Sequence, residues 1–189
     1  MDVSISENLI NHTDPNRAKR IVLIGFMGCG KSHVGAELSA ILNFHFIDLD
    51  SKIEELENSK VSEIFDYHGE AYFREKEAML LRNILSNQSN IVLSTGGGTP
   101  CYRDNMAFIL QNAISFYLKP PVGLLCSRLI NQTANRPLLN SSASRLDLEA
   151  SIISILAQRN HYYQMADFCL EFDQHSQHQV VEMILQSLP

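Results

Sequence analysis

The sequence predicts an α/β fold: a five-stranded parallel sheet flanked by helices. Three observations lead there. Short apolar runs recur along the chain, helical patterns separate them, and the first run passes through a glycine-rich turn straight into a helix. Strands alternating with helices read as βαβ units, whose crossovers cover both faces of a parallel sheet.

Each element has its own signal. Residues 1–17 are polar and unpatterned, so a flexible arm is expected over 1–19. Residues 20–24 (RIVLI) are continuously apolar and rich in β-branched residues, as a doubly covered strand requires. From Lys31, the positions Val34, Leu38, Ile41 and Leu42 recur at helical spacing. His45–Leu49 (HFIDL) is a second strand, ending in acids. Ile53, Leu56, Val61, Ile64 and Phe65 mark helices with a break near Asn58–Ser59. A further helix runs from about Gly69 to Leu85. Asn90–Ser94 (NIVLS) is a third strand, ended by Thr95-Gly96-Gly97-Gly98. Asp104–Leu110 reads as a short helix, Ala113–Leu118 as a fourth strand closed by Pro120-Pro121, and Val122–Ile130 as a helix. Residues 131–145 are polar around Pro137, and a long patternless stretch in a compact domain is usually functional or mobile. Leu146–Met165 is a long helix with Leu148, Ile152, Ile155 and Leu156 on one stripe. Asp167–Phe172 is a weaker fifth strand, and Val180–Leu188 a terminal helix.

Composition bounds the function. A chain of 189 residues is one domain's worth, here expected over 20–189. Lys+Arg 15 against Asp+Glu 21 gives a charge of −6, which argues against a nucleic-acid or anionic-membrane surface. No apolar run approaches the ~18–20 residues of a membrane span. The N-terminal stretch has no basic region followed by an apolar one, so no secretory signal is expected. Cys29, Cys101, Cys126 and Cys169 lack metal or redox spacing and read as reduced thiols. His175 and His178 have no ligand partners at zinc spacing. A cytoplasmic, monomeric protein is expected. The acidic total still leaves room for a local basic site, because Lys31, Arg74, Arg128, Arg136 and Arg159 fall at candidate ligand positions.

Ligands of such sheets sit beyond the C-terminal ends of the strands. After the first strand, Gly25-Phe26-Met27-Gly28-Cys29-Gly30-Lys31-Ser32 fits the phosphate-loop pattern G-x-x-x-x-G-K-[ST] at every fixed position. Its glycines let backbone N–H groups wrap a phosphate, and the helix N-terminus adds positive potential. Lys31 would reach the β- and γ-phosphates and Ser32 would ligate Mg²⁺. Chance alone yields roughly one such match per hundred chains, before the strand and helix contexts are required. Gly28, Cys29, Gly30, Lys31, Ser32 and His33 are therefore assigned to nucleoside triphosphate.

The phosphate acceptor is read from the residues that close the other strands. Asp48 and Asp50, at i and i+2 on a strand, would share a face and approach one Mg²⁺ or one hydroxyl. A solvated turn or a helix N-cap explains them equally. Arg74 fits either an anionic substrate or a surface pair with Glu70 or Glu77. Gly96-Gly97-Gly98 fits close approach of backbone to a ligand, or a tight turn. Arg159 continues an apolar stripe and needs a carboxylate, from a substrate or from the protein. Guanidinium binds carboxylate in a planar, bidentate way. Together these residues describe a small-molecule kinase acting on an anionic, hydroxylated acceptor.

The order of motifs resembles the shikimate kinase family over about residues 20–172. The matching stretches are GFMGCGKS, FIDLD with Ile53-Glu54, IFDYHGEAYFREKE, STGGG, the Arg-Pro-Leu-Leu of 136–139, and Arg159 to Ala166. The resemblance implies a three-layer P-loop kinase fold, with an acceptor-binding subdomain at about 50–80 and a lid at about 131–145. It implies ATP-dependent phosphorylation of the 3-hydroxyl of shikimate. In its terms Asp50 contacts the acceptor hydroxyls and is the base. Asp48 and Ser32 serve Mg²⁺. Arg74, Arg159 and the glycines Gly96, Gly97 and Gly98 hold the acid. Arg136 belongs to the lid, touches ATP and acts with Lys31 in catalysis. Arg128, eight residues before Arg136, is assigned to the ATP base from its position and not from the resemblance. Two departures stand out. His33 replaces the usual second Ser/Thr, and 172–178 (FDQHSQH) lacks the Arg and Pro often used around adenine. The rivals are a kinase of another small acid such as gluconate, a regulatory nucleotide-binding module, and a domain without ligand.

Overall fold

The computed structural model describes residues 3–5, 16–130 and 144–188. Its strands are β1 (Val3–Ile5), β2 (Arg20–Ile24), β3 (His45–Asp48), β4 (Ile91–Ser94), β5 (Ile114–Lys119) and β6 (Phe168–Glu171). Its α-helices are α1 (Lys31–Leu42), α2 (Leu49–Glu57), α3 (Val61–Asn87), α4 (Asn105–Asn112), α5 (Val122–Leu129), α6 (Arg145–Tyr163) and α7 (Gln177–Ser187). The sheet order is β1-β6-β5-β2-β4-β3. β2 to β6 are mutually parallel, so the expected five-stranded parallel sheet is present. β2 lies between β4 and β5, and the chain leaves it first to one side and later to the other. That reversal opens a crevice at the C-terminal end of β2, where ligands of open parallel sheets bind.

Burial follows from coverage of both faces. Ile21 and Leu23 enter one apolar cluster with Val34, Leu38, Ile152 and Val181. Val22 and Ile24 enter another with Leu49, Ile53, Leu81 and Ile109. All four strand residues are 0% exposed, which is why the run reads as continuous rather than alternating. α3 is two helical pieces joined at Gly69, whose φ of 81° lies in the left-handed region. The expected break at Asn58 is real: Asn58 caps α2 at φ 48°. Among the described residues, no helix is long and apolar enough to cross a membrane.

Two expectations change. The second strand stops at Asp48, and Leu49 already begins α2. Asp48 is the N-cap of that helix, its Oδ1 accepting from the Ser51 N–H at 3.2 Å, and Asp50 sits in the first turn. Spacing along a strand is therefore not what relates the two acids. Residues 3–5 and Arg17, within the expected arm, also contribute to the fold. β1 pairs antiparallel with β6, an edge strand with no sequence pattern of its own. Arg17 is 3% exposed. It donates to the Ala113 carbonyl at 2.7 Å and to Asp167 Oδ1 at 2.8 Å.

Asp167 in turn accepts from the N–H and Oγ of Ser115, at 2.8 and 2.7 Å. This buried pair ties the starts of β5 and β6 together at the end of the sheet away from the phosphate loop. Removing one partner strands a charge in the interior, at a cost of about 3–5 kcal/mol. Arg17→Met is accordingly expected to lower the urea midpoint sharply while leaving the kcat/KM of the folded enzyme unchanged. An unshifted midpoint contradicts this.

Candidate active site

The phosphate loop joins β2 to α1. Gly28 and Gly30 adopt φ of 78° and 108°, which side chains rarely tolerate, so these positions need glycine. Lys31 is buried and its Nζ donates to the carbonyls of Gly25 and Phe26, at 2.9 and 3.0 Å. The ammonium is thus held over the mouth of the loop by its own backbone. The Cys29 thiol points inward, 3.7 Å from Lys31 Nζ. Only the backbone of Cys29 can face a phosphate. Arg128, from α5, donates to the carbonyls of Gly28 and Cys29 at 3.1 and 3.2 Å. His33 is exposed, and its carbonyl accepts from Gln177. The loop floors a cleft of about 580 Å³. The cleft extends to Asp50 and Gly97 at one end and to Arg128, Phe172 and His175 at the other.

The metal candidates converge at that floor. Ser32 Oγ donates to Asp48 Oδ2 at 2.5 Å and lies 3.5 Å from Ser94 Oγ, at the end of β4. One carboxylate and one hydroxyl are a sparse set of hard oxygen donors. Among the described residues no group of three or more His, Cys, Asp or Glu could hold a metal by itself. Such a set suits Mg²⁺, which keeps several waters and takes the rest of its ligands from substrate phosphates.

Asp50 is the unusual acid. Its Oδ1 is buried and has no hydrogen-bond partner. Burial pushes the carboxyl up from its ordinary value to about 7, and the nearby carboxylates of Glu77 and Asp48 push the same way. Lys31 and Arg74 oppose the rise. The result is a carboxylate that takes and releases a proton near neutrality.

The glycine triplet after β4 explains how the acceptor side fits together. None of Gly96, Gly97 and Gly98 has the left-handed φ that would demand glycine. Space demands it instead. A Cβ on Gly96 would stand 2.5 Å from Glu77 Oε1 and 2.8 Å from Asp50 Oδ1. On Gly97 it would meet Arg159 Nη1 at 3.4 Å, and on Gly98 it would meet Arg74 Cζ at 2.5 Å. The missing side chains of Gly96 and Gly98 thus leave room for Glu77, Asp50 and Arg74, while at Gly97 the nearest atom is the Met27 nitrogen, at 3.3 Å, and Arg159 is in ordinary contact. Arg74 is 8% exposed and bonded both to Glu70 and to Glu77, the latter at 2.5 Å. The sequence alternatives of ligand arginine and ion-paired arginine are therefore compatible, because the pairing fixes a buried guanidinium rather than a surface one. Arg159 Nη1 is buried without a hydrogen-bond partner.

Lys31, Ser32, Asp48, Asp50, Arg74, Arg159 and the glycines thus meet at the C-terminal ends of β2, β3 and β4. Arg136 and residues 131–143 of the expected lid lie outside the described residues. Three residues of the site are not assigned by the sequence reading. Glu77 is 0% exposed, bonded to Arg74 and accepting from Thr99 Oγ1. Tyr163 donates to the Gly97 carbonyl. The Arg74–Glu77 spacing is a signal for Glu77. Thr99 and Tyr163 have none, since their partners lie on other elements.

The family model described as shikimate kinase matches residues 27–189. A shikimate kinase of Flavobacterium psychrophilum is 39% identical over 167 residues, covering 88% of this chain and 96% of the relative. A solved shikimate kinase from Acinetobacter baumannii, in complex with shikimate, superposes with a TM-score of 0.82 at 33% identity, covering 89% of this chain and 91% of that one. A gluconokinase from Sinorhizobium meliloti shares the fold at a TM-score of 0.53 and 15% identity, covering 92% of this chain and 93% of its own. That likeness extends to the fold alone. Because the family model spans most of the sequence and the shikimate kinase relatives match along nearly their whole length at more than 30% identity, this chain belongs to the shikimate kinase family and is a kinase.

Proposed function

We propose that this chain transfers the γ-phosphoryl group of ATP to the 3-hydroxyl of shikimate, giving shikimate 3-phosphate and ADP on the route to chorismate and the aromatic amino acids. The observation that carries the assignment is the Asp50 carboxylate, whose Oδ1 is buried without a hydrogen-bond partner beside the glycine triplet. In the reaction the 3-hydroxyl oxygen bonds to the γ-phosphorus as the bond to the β,γ-bridging oxygen breaks. The hydroxyl proton goes to Asp50, and the electron pair of the broken bond leaves with ADP.

The chain's residues divide the remaining work. Backbone N–H groups of 28–33 cradle the phosphates, and Lys31 swings from the Gly25 and Phe26 carbonyls to the β- and γ-oxygens. Arg128 lies beside the nucleotide. Ser32 and Asp48 would hold Mg²⁺, which supplies charge neutralisation at the phosphate oxygens when bound. Arg74, Arg159 and the backbone of 96–98 hold the acid with its 3-hydroxyl toward Asp50. Residues of about 50–80 form the acceptor-binding subdomain, and about 131–145 the lid that brings Arg136 to the transferring group. Lid closure excludes water, which would otherwise accept the phosphoryl group. The protein acts as a cytoplasmic monomer.

The test is ADP release with ATP and Mg²⁺, with shikimate, with gluconate and with neither. A shikimate-dependent rate far above the other two is expected, and its absence refutes the assignment. Arg136→Ala is expected to lower kcat by about a hundredfold or more, since removing one group that stabilises transition-state charge costs that much, with the melting temperature nearly unchanged. Equal losses of stability and activity would sink the role given to Arg136.

A further inference from the structure

The cleft gives the nucleotide a direction. One end holds Asp50 and Gly97, the phosphate loop floors the middle, and Arg128, Phe172 and His175 line the other end. A nucleoside triphosphate whose γ-phosphate faces Asp50 therefore lays its base at the second end. The sequence assigns none of 172–178 to the nucleotide, and the stretch has neither Arg nor Pro. Arg128 is fixed on the Gly28 and Cys29 carbonyls and offers the base a planar face. Every base has such a face, so stacking holds a base without choosing one. Choice needs a hydrogen bond to the edge of the base.

His175 is placed to make that bond. It is half-buried in the turn between β6 and α7. Its ring stands edge-on to the buried Phe172, with centroids 6.5 Å apart. The far side of the turn is tied down. Ser176 caps α7 in a reciprocal box with Gln179, and Gln177 donates to the His33 carbonyl and to Glu37 Oε2, at 3.0 and 2.7 Å. His175 Nδ1 lies 2.9 Å from the Asp173 carbonyl oxygen. A carbonyl only accepts, so Nδ1 carries the hydrogen. In the neutral ring Nε2 is then an acceptor, and nothing among the described residues bonds to it.

We propose that His175 Nε2 accepts a hydrogen bond from the 6-amino group of adenine and makes this site select ATP over GTP. The inference rests on the reading that the γ-phosphate faces Asp50. The 6-amino group is a donor and meets a lone pair. The 6-oxo group of guanine is an acceptor and meets the same lone pair with no hydrogen between them, so repulsion replaces the bond. The Asp173 carbonyl and Phe172 hold the ring, so the selecting edge is set before the nucleotide arrives.

The test is nucleotide binding by isothermal titration calorimetry, with Mg²⁺ and no acceptor, at pH 8 where imidazole is neutral. The parent and His175→Phe are compared with ATP, GTP and purine riboside triphosphate, which is ATP without the 6-amino group. In the parent the purine analogue is expected to bind about five- to tenfold more weakly than ATP, as for loss of one net hydrogen bond, and GTP at least as weakly. In His175→Phe, ATP and the analogue are expected to bind within twofold of each other, because a ring remains and the acceptor is gone. If the parent binds the analogue as tightly as ATP, the 6-amino group is not read and the inference is overturned. If the parent's gap persists in His175→Phe, whether or not both affinities fall, the ring only packs and the inference is wrong. Absence of shikimate-dependent ADP release would sink the acceptor reading, while these affinities still decide the role of His175. If the parent binds no nucleotide, both readings fall.

Discussion

Asp50→Asn is expected to lower kcat by about a thousandfold and, at pH 8, to raise the melting temperature. The two effects have one cause. Asp50 is buried, its Oδ1 lacks a partner, and burial together with Glu77 and Asp48 lifts its carboxyl from 3.8 to about 7. General-base catalysis contributes about 10²–10⁴-fold, and an amide cannot take the proton. For stability the sign runs the other way from a salt-bridged acid. The folded state binds the proton more tightly than the unfolded state. The favourable difference is complete below about pH 4 and is lost as pH rises through about 7. Above that, the ionised carboxylate costs up to about 4 kcal/mol, since each tenfold change in proton affinity is worth about 1.4 kcal/mol. Asparagine carries no such charge, so the variant gains most at pH 8 and little at pH 4. In the parent enzyme, kcat/KM for shikimate is expected to rise with pH through an apparent value near 7. A variant that melts lower at pH 8, or that keeps its turnover, contradicts the role of Asp50.

The parts legible in the sequence are those whose chemistry is local. The phosphate loop needs glycine at fixed spacing and a lysine and serine at the start of a helix, all within one short stretch. The strand 20–24 is legible because burial on both faces leaves no polar position. Asp48 and Asp50 are visible as acids, but their relation turns on a single residue at the strand end: Leu49 is helical, so Asp48 caps the helix and Asp50 turns inward. The glycine triplet is visible as a demand for closeness without showing to what. Its neighbours, Glu77, Arg159 and Arg74, come from α3 and α6, and no local pattern reports a contact between elements so far apart in sequence. Thr99 and Tyr163 are hidden for the same reason. β1 is hidden because its place comes from pairing with β6, not from any pattern in residues 3–5.

Arg74→Met is expected to fail in two separable ways. Glu77 is 0% exposed, and Arg74 holds it at 2.5 Å. Removing the guanidinium leaves Glu77 with only the Thr99 hydroxyl, inside a protein interior. Breaking one partner of a buried pair costs about 3–5 kcal/mol, so the single variant should melt far below the parent. It should also raise the shikimate KM by about a hundredfold, because a charged hydrogen bond to the acid is lost. The double variant Arg74→Met/Glu77→Leu separates the effects. Replacing both members of a buried ion pair with apolar groups of similar volume is often neutral or stabilising. At Asp50 the loss of the Glu77 charge, which raises its carboxyl, outweighs the loss of the smaller lowering by Arg74, so more of that carboxyl is ionised at neutral pH. The double variant should therefore recover most of the melting temperature and shift the pH profile of kcat/KM to lower pH, while the shikimate KM stays high. If activity returned together with stability, Arg74 would be a structural partner of Glu77 and nothing more. If stability did not return, the Arg74–Glu77 pair would not be what holds α3 against the glycine triplet.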